Sequence, residues 1–327
     1  MKLSIIIPVY NLERYIEDCL KSCLIQDIDD YEIICINDGS KDNSGTILGE
    51  YAIKYPEKIK IIHKQNGGVS SARNEGLNIA TGKWVWFVDG DDCIKSNCLG
   101  RLIETAELNA CDIMSIQNTM FDEETAFDDI MKINSADKNI DNTECIAFKL
   151  FKTKIIRENN IKFDVSISHG EDNIFIYEFM KKCNTCYIDT KVVYFYRKRM
   201  NSASREKTAE NKRKLYKSQI HQVLYYNNEI KNYSEDNYFS VKTLEERRET
   251  YLKRALITMC LFETDKQRIN ENMEKLEQEN LYPAKFKTEI VGPLKERMYR
   301  FIQNNLGKKS FFTFVWYLKR LVSKGGN

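Results

Sequence analysis

The chain has 327 residues, 42% of them hydrophobic and 30% charged, with a net charge of +2. That length suits one large domain or one domain with an appendage, the composition suits a globular chain with a full core, and the near-neutral charge argues against a nucleic-acid binder. No apolar run reaches the ~18–20 residues that span a bilayer.

Residues 3–9 form a near-continuous apolar run containing Pro8, which reads as a first buried strand. Apolar residues then recur at helical spacing over 12–24. A second strand is predicted over 31–36, ending in the turn Asn37-Asp38-Gly39-Ser40, and a helix over 44–55 stops at Pro56. A third strand follows at 59–63. Gly67-Gly68 opens a helix over 70–80, which Thr81-Gly82 closes. Next come a short aromatic, β-branched run at 84–88, a helix over 94–109 and a fifth strand over 112–116. This β-α-β-α cadence predicts an α/β fold, a mainly parallel sheet with helices on both faces. Residues 118–145 break the pattern in a polar, acidic excursion, of the kind that is usually functional or mobile. Apolar patterning resumes at 148–156 and 161–163, followed by an amphipathic helix at 174–182 and two short strands at 187–188 and 192–196. From residue 208 the chain reads as mostly helical, at 211–227, 243–262, 266–279, 292–304 and 311–322.

Charge is unevenly divided. Residues 197–327 carry 28 Lys and Arg against 16 Asp and Glu, a balance of +12, and residues 1–196 carry 22 against 32, a balance of −10. The basic part is expected to face an anionic partner or the acidic half of its own chain. Ten cysteines are scattered, and Met1-Lys2 runs straight into a strand-like segment with no signal peptide, so reduced cytosolic thiols are expected. The single C-x-x-C, Cys183 to Cys186, lacks a second pair, so zinc is not expected.

The run Trp84-Val85-Trp86-Phe87-Val88 ends abruptly in Asp89-Gly90-Asp91-Asp92. Ligands bind at the carboxyl ends of strands in open α/β sheets. Carboxylates crowded there repel unless a cation or shared protons neutralise them, and hard oxygen ligands favour Mg2+ or Mn2+. The plainer reading is a solvated acidic turn. Other candidates also sit at strand ends or helix starts. Tyr10, after Pro8, can stack on a planar ring or serve as a turn tyrosine. Asp38 can accept an N–H from a base or close an Asx-turn with Gly39. Arg73 can pair with a phosphate or base carbonyl, or be a surface arginine. Glu171-Asp172 reads as a pair of acids favoured at a helix N-terminus.

Ser4-Ile5-Ile6-Ile7-Pro8-Val9-Tyr10-Asn11, then Asn37-Asp38-Gly39-Ser40 with Asp42 and Ser44, then Gly67-Gly68-Val69-Ser70-Ser71-Ala72-Arg73-Asn74, then Asp89-Gly90-Asp91-Asp92, in this order, closely resemble the family-2 glycosyltransferases of GT-A fold. The resemblance covers roughly residues 3–205. It implies a Rossmann-like, mixed and mainly parallel sheet as a nucleotide-sugar-binding catalytic domain over 1–207, leaving 208–327 as a helical, basic region for acceptor, membrane or dimer contacts. It implies inverting transfer of a sugar from a nucleotide donor, most often UDP-linked, to an acceptor hydroxyl. By motif, Pro8 and Tyr10 would border the uracil, Asp38 would accept from its ring N–H, and Arg73 would lie beside the base. Asp91 would contact the ribose or share a Mn2+ or Mg2+ ion with Asp92, the more direct ligand, and with Asp89. Asp172 would be the general base, with Glu171 beside it.

Downstream, Tyr194-Phe195-Tyr196-Arg197-Lys198-Arg199 with Asn201-Ser202 resembles the family's strand and basic loop, which makes Arg197 and Arg199 candidates for the pyrophosphate. The chain departs from the family at Ala147-Phe148-Lys149-Leu150-Phe151, where Trp-Asn-Lys is common, and it lacks the Gln-x-x-Arg-Trp motif of processive relatives. One sugar per binding event is therefore expected. Segment 311–322 interleaves aromatic and cationic residues. It reads either as a helix lying on an anionic membrane, suiting a lipid-linked saccharide acceptor at the inner face, or as a helix packed on the protein or at a dimer contact. Two rival functions stand. A nucleotidyltransferase-like enzyme is disfavoured because Val9-Tyr10-Asn11-Leu12 replaces a Gly-rich triphosphate loop; the other is a non-catalytic relative that binds a glycan or partner.

Overall fold

A computed structural model describes residues 1–133, 145–199, 208–234, 239–282 and Phe312. The chain divides into two compact units, Met1–Ser166 with Glu171–Arg205 and Ile167–Gly170 with Glu206–Asn327.

The first unit is built on an eight-stranded mixed sheet. Its strands are β1 Leu3–Val9, β2 Tyr31–Asn37, β3 Ile59–His63, β4 Trp84–Phe87, β5 Cys93–Ile94, β6 Ile113–Asp122, β7 Lys149–Lys152 and β8 Cys186–Lys198, in the order β3-β2-β1-β4-β7-β6-β8-β5. β3, β2, β1 and β4 run parallel, β7 is antiparallel to both β4 and β6, and β6 and β8 are parallel. The expected mainly parallel sheet with helices on both faces is therefore present. Its helices are α1 Ile16–Leu24, α2 Ser44–Lys54, α3 Val69–Ile79, α4 Leu99–Leu108, α5 Phe127–Met131, α6 Thr153–Glu158 and α7 Glu171–Met180.

Alternation along β1 shows how both faces are filled. Leu3, Ile5, Ile7 and Val9 join one core with α1, α2 and α4, whereas Ile6 joins the other with α3, α6 and α7. A strand covered on both sides has no polar face, which is why β4 reads as an unbroken apolar run and β1 and β2 as nearly so, broken by Ser4 and Glu32 near their amino ends. The second core centres on Phe175 of α7, stacked on Phe163 at 4.1 Å and edge-on to Phe87 and Phe151 at 5.7 and 5.5 Å. At the amino end of the strands, buried Glu32 accepts from Ser4 Oγ (2.7 Å), Thr81 N (2.6 Å) and Lys60 Nζ (2.7 Å). Burial pushes this carboxyl up, but those bonds outweigh it and hold it at about 2.

Several boundaries differ from the sequence reading. The strand predicted over 112–116 continues to Asp122, so residues 118–122 are ladder rather than excursion. Polar Asn118 and Thr119 hid it, being buried against β8 at Tyr194 and Phe195. The two short strands at 187–188 and 192–196 are one strand, β8, whose register jumps between Ile188 and Val192 opposite Ser115 and Gln117. The helix predicted from 94 begins at Leu99, because Cys93 and Ile94 pair with Phe195 and Tyr194. The helix predicted from 12 begins at Ile16, after Asn11 at φ 53° and a turn closed by Tyr15 N to Leu12 O.

The second unit contains α8 Ala209–Lys231, α9 Val241–Phe262 and α10 Lys266–Gln278, each capped by the side chain of Thr208, Ser240 or Asp265. Tyr226 of α8 stacks on Tyr251 of α9 at 5.8 Å. Buried Glu263 accepts from Tyr216 Oη (2.5 Å) and Arg213 Nε (3.1 Å). The helix predicted over 292–304, the loop residues Asn201 and Ser202, and all of 311–322 except Phe312 lie outside the described residues; Phe312 itself is buried. No helix among the described residues is long and apolar enough to cross a membrane.

Candidate active site

In this sheet the chain moves outward from β1 through β2 to β3 and then returns to the far side of β1 as β4. The carboxyl ends of β1 and β4 therefore flank a topological switch point, where ligands bind in open α/β sheets. The β1 end carries Pro8 and Tyr10, the latter 45% exposed. The loop after β1 is tied to the loop after β2. Leu12 N donates to Ser44 Oγ (2.8 Å), Lys41 N to Asn11 Oδ1 (2.8 Å), Glu13 N to Asp42 Oδ2 (3.0 Å) and Asn43 N to Glu13 Oε2 (2.9 Å). Asn11, Asp42 and Ser44 of the sequence motifs thus act as fasteners of the loops.

Asp38, at the β2 end, is buried against the loop that opens α3. Its Oδ1 accepts from Lys64 Nζ (2.6 Å) and Gly67 N (2.9 Å), and its Oδ2 from Gly68 N (2.8 Å). Gly68 takes φ +85°, a backbone state that L side chains rarely adopt. The carboxylate that the sequence assigns to a base N–H therefore holds the Gly67-Gly68 turn in this structure.

Arg73, 4% exposed, projects from α3 into a group of acids. Its Nη1 donates to Asp172 Oδ1 (2.7 Å) and Glu171 Oε1 (3.2 Å), and its Nη2 to Asp89 Oδ1 (3.1 Å). The guanidinium also lies over the Phe163 ring at 5.3 Å. The structure thus places Arg73 on carboxylates. It joins the end of β4 to the first turn of α7, which the sequence reading had treated as separate pieces. Asp172 Oδ2 accepts from Ile146 N at 3.2 Å. Burial pushes the Asp172 carboxyl up to about 7; Arg73 opposes the rise, and Glu171 and Asp89 add to it.

The three aspartates after β4 face different surroundings. Asp92 is 1% exposed, accepting from Tyr194 Oη (2.7 Å) and Arg197 N (2.8 Å), and its carboxyl is held well above the usual range by burial and by Asp91 and Asp89. Tyr194 Oη also accepts from Asp89 N at 3.2 Å, so this buried hydroxyl anchors the whole turn. The Asp89 and Asp91 side chains are 32% and 18% exposed. Asp91 Oδ2 meets Arg199 Nε at 2.6 Å, and burial and Asp89 raise its carboxyl to about 6. Gly90 fits because any Cβ would lie 2.9 Å from Leu12 Cδ1.

Arg197 is corrected from a loop cation to a buried brace. Its Nε donates to Asp91 O (2.8 Å), Nη1 to Glu123 O (3.1 Å) and Nη2 to Asp18 Oδ2 (2.9 Å), and its guanidinium lies 4.5 Å from the Phe121 ring centroid. Arg199 keeps a partly exposed guanidinium, 5.1 Å from the Tyr15 ring centroid. Sequence reasoning missed Tyr194, Lys64, Asp18, Phe163 and the Ile146 amide. Their partners lie 26 to 179 residues away in the chain, and only Tyr194 fell within a quoted motif.

Asp89 and Asp91 supply hard oxygen donors, partly open and close enough that Asp89 helps raise the Asp91 carboxyl, which suits a divalent cation such as Mg2+ or Mn2+. Among the described residues no group of three or more His, Cys, Asp or Glu forms a metal cage. A Mg2+-type site requires only one or two carboxylates, with phosphate oxygens and water completing the shell.

Residues 4–181 match the family model described as glycosyl transferase family 2. Among relatives, an uncharacterized glycosyltransferase, EpsJ, of Bacillus subtilis is 35% identical over 61% of this chain and 62% of its own length. A poly(ribitol-phosphate) beta-glucosyltransferase of Bacillus spizizenii is 33% identical over 60% of this chain and 32% of its own. The chain thus spans less than two thirds of these relatives. Among solved structures, S. aureus TarS 1-349 in complex with UDP aligns with a TM-score of 0.60 at 20% identity, over 85% of this chain and 80% of that one. Mannosyltransferase PcManGT from Pyrobaculum calidifontis, in complex with GDP-Man and Mn2+, aligns with a TM-score of 0.54 at 13% identity, over 99% and 88%. At these identities the likeness establishes the fold.

Proposed function

The chain belongs to glycosyl transferase family 2, and from that premise we propose that it transfers one sugar at a time from a UDP-linked donor to an acceptor hydroxyl, inverting the anomeric carbon. The observation that carries this reading is Arg73 gathering Asp89, Glu171 and Asp172 beside the switch point of the sheet. Asp89, which we assign to the donor side, and Asp172, which we assign as base, thus share one guanidinium.

Asp172 takes the proton of the acceptor hydroxyl as that oxygen attacks. A base that titrates near neutrality suits this task, being ionised at working pH yet still basic enough to accept. Attack opposite the leaving diphosphate in a single displacement inverts the configuration. Asp89 and Asp91 are the residues that would hold Mn2+ or Mg2+, which when bound neutralises charge developing on the leaving diphosphate. Asp92, with both oxygens engaged by Tyr194 and Arg197, shapes the turn that presents the other two. Tyr10, the exposed ring at the end of β1, stacks on the base, and Pro8 borders it. Asp38 keeps the Gly67-Gly68 loop in shape beside it. Arg199, the more exposed arginine, is the cation for the diphosphate.

For the acceptor we take a cell-surface saccharide or its polyol-phosphate polymer, lipid-linked or free. Two observations support this: relatives named for poly(ribitol-phosphate) glycosylation and the basic balance of residues 197–327. The test is transfer and hydrolysis across a panel of UDP-sugars with Mn2+, comparing wild type with Asp172→Asn. Turnover by wild type alone supports the reading. UDP-sugar binding by both without turnover by either would replace it with a non-catalytic binding role.

A further inference from the structure

We propose that Arg73 is a positioning residue for the reaction, holding the Asp172 carboxylate in place for the acceptor by clamping it to the first turn of α7 and to the turn after β4. The inference rests on the assignment of Asp172 as base. α7 begins right after Gly170, at φ +78°, so its first turn leaves a loop rather than a continuing element. The Asp172 side chain accepts from Arg73 Nη1 at 2.7 Å and from Ile146 N at 3.2 Å. The arginine bond is charge-assisted and the shorter, so it sets the direction of the carboxylate.

The clamp is itself fixed. Both Nη atoms are committed to acids, and the guanidinium rests over Phe163, whose ring stacks on Phe175 of α7 at 4.1 Å. α7 is thus held to α3 through an ionic contact at its first turn and an aromatic contact one turn later. A planar fork can serve three carboxylates at once; an ammonium on a flexible stem cannot keep the same geometry. The groups around Asp172 are Arg73 from α3, Glu171 from α7 itself, Asp89 after β4, and the Cys145 thiol with the Ile146 amide. Arg73 is the one cation among them.

The test compares wild type with Arg73→Ala and Arg73→Lys, using full-length protein. At saturating donor, kcat should fall about a hundredfold, the scale expected when a reacting group is misplaced by an ångström. The Kd for UDP should stay within about threefold, well under the tenfold that 1.4 kcal/mol represents. Added guanidinium ion should restore part of the kcat of Arg73→Ala and none of that of Asp172→Asn. Hydrogen exchange of α7 amides, which needs no turnover, should quicken in both Arg73 variants. A kcat that is unchanged while the UDP Kd rises tenfold would overturn the proposal and make Arg73 a donor contact. Unchanged exchange in α7 would overturn it also. If Arg73→Ala does not melt cooperatively, Arg73→Lys carries the comparison. Should wild type transfer no sugar from any donor, the proposed activity falls, and the exchange data alone decide whether Arg73 holds α7.

Discussion

Asp172 and Asp91 share a physical situation: each is a carboxyl pushed upward by burial and by neighbouring acids, to about 7 and about 6. For Asp172 the consequence is a pH-dependent rate. The kcat should rise with pH through about 7 as the base ionises, and Asp172→Asn should lose about a thousandfold together with that rising limb. The effect on stability has the opposite direction. An acid whose folded pKa is raised favours folding fully below its unfolded value near 4, and that contribution is lost as pH climbs through the folded value. Asp172→Asn should therefore gain melting temperature relative to wild type between about pH 5 and pH 8, measured by differential scanning fluorimetry. The turn after β4 separates two roles within four residues. Asp92→Ala should cost about 2 kcal/mol, since the Tyr194 hydroxyl and Arg197 amide lose their acceptor. Asp91→Ala should leave the melting temperature nearly unchanged yet abolish any strengthening of UDP binding by Mn2+ in calorimetry. A sequence can name these aspartates as a group, but it cannot tell which one turns inward, because Tyr194 lies 102 residues from Asp92.

At the scale of elements, the first half of the sheet was readable and the second only in part, since the predicted strands at 112–116, 187–188 and 192–196 overlap β6 and β8 but fall short of their full extent. β1, β2 and β4 are mostly apolar runs punctuated by Gly, Pro and Asn, and local pattern suffices for strands buried on both faces; β3, at the sheet edge and only partly buried, is marked by Ile59, Ile61 and Ile62. β6 and β8 reach their full length by pairing with each other over long sequence separation, and the buried Asn118 and Thr119 of β6 erase the hydrophobic signature of its second half. For the site the same split holds: strand-end motifs were visible, whereas the braces Arg197 and Tyr194 took their meaning from pairing. Two elements give measurable predictions. Phe175→Ala should cost about 3–5 kcal/mol in denaturant unfolding, and it should lower kcat as well, because α7 carries the proposed base. Glu32 ties β1, β2 and β3 at their amino ends with its carboxyl held at about 2. Its stabilisation is complete above its unfolded value near 4.3 and is lost as pH falls toward 2. Glu32→Gln should therefore be less stable at neutral pH and show a shallower acid-unfolding profile, followed by circular dichroism.

For the whole molecule, acidity and basicity are divided between the halves of the chain. The acidic half contains the proposed chemistry, with Asp89, Asp91 and Asp172 all in the first unit, and the helical unit, apart from Ile167–Gly170, belongs to the basic half. A polyanionic acceptor would be drawn by long-range attraction that salt screens. Raising salt from about 0.1 M to about 1 M should increase the KM for an anionic acceptor severalfold while leaving slow hydrolysis of the donor little changed. The composition made this division countable, but not the acceptor, because polymer recognition depends on side-chain placement rather than on totals.

The fastening of the β1–α1 loop to the β2–α2 loop by Asn11, Glu13, Asp42 and Ser44 carries a consequence for how a nucleotide would be captured. A pocket rim stitched before the ligand arrives loses little freedom on association, so affinity there draws on contact energy rather than offsetting a disorder-to-order cost. Evolution of new sugar preferences would then leave these stitches intact and alter the walls facing the hexose instead.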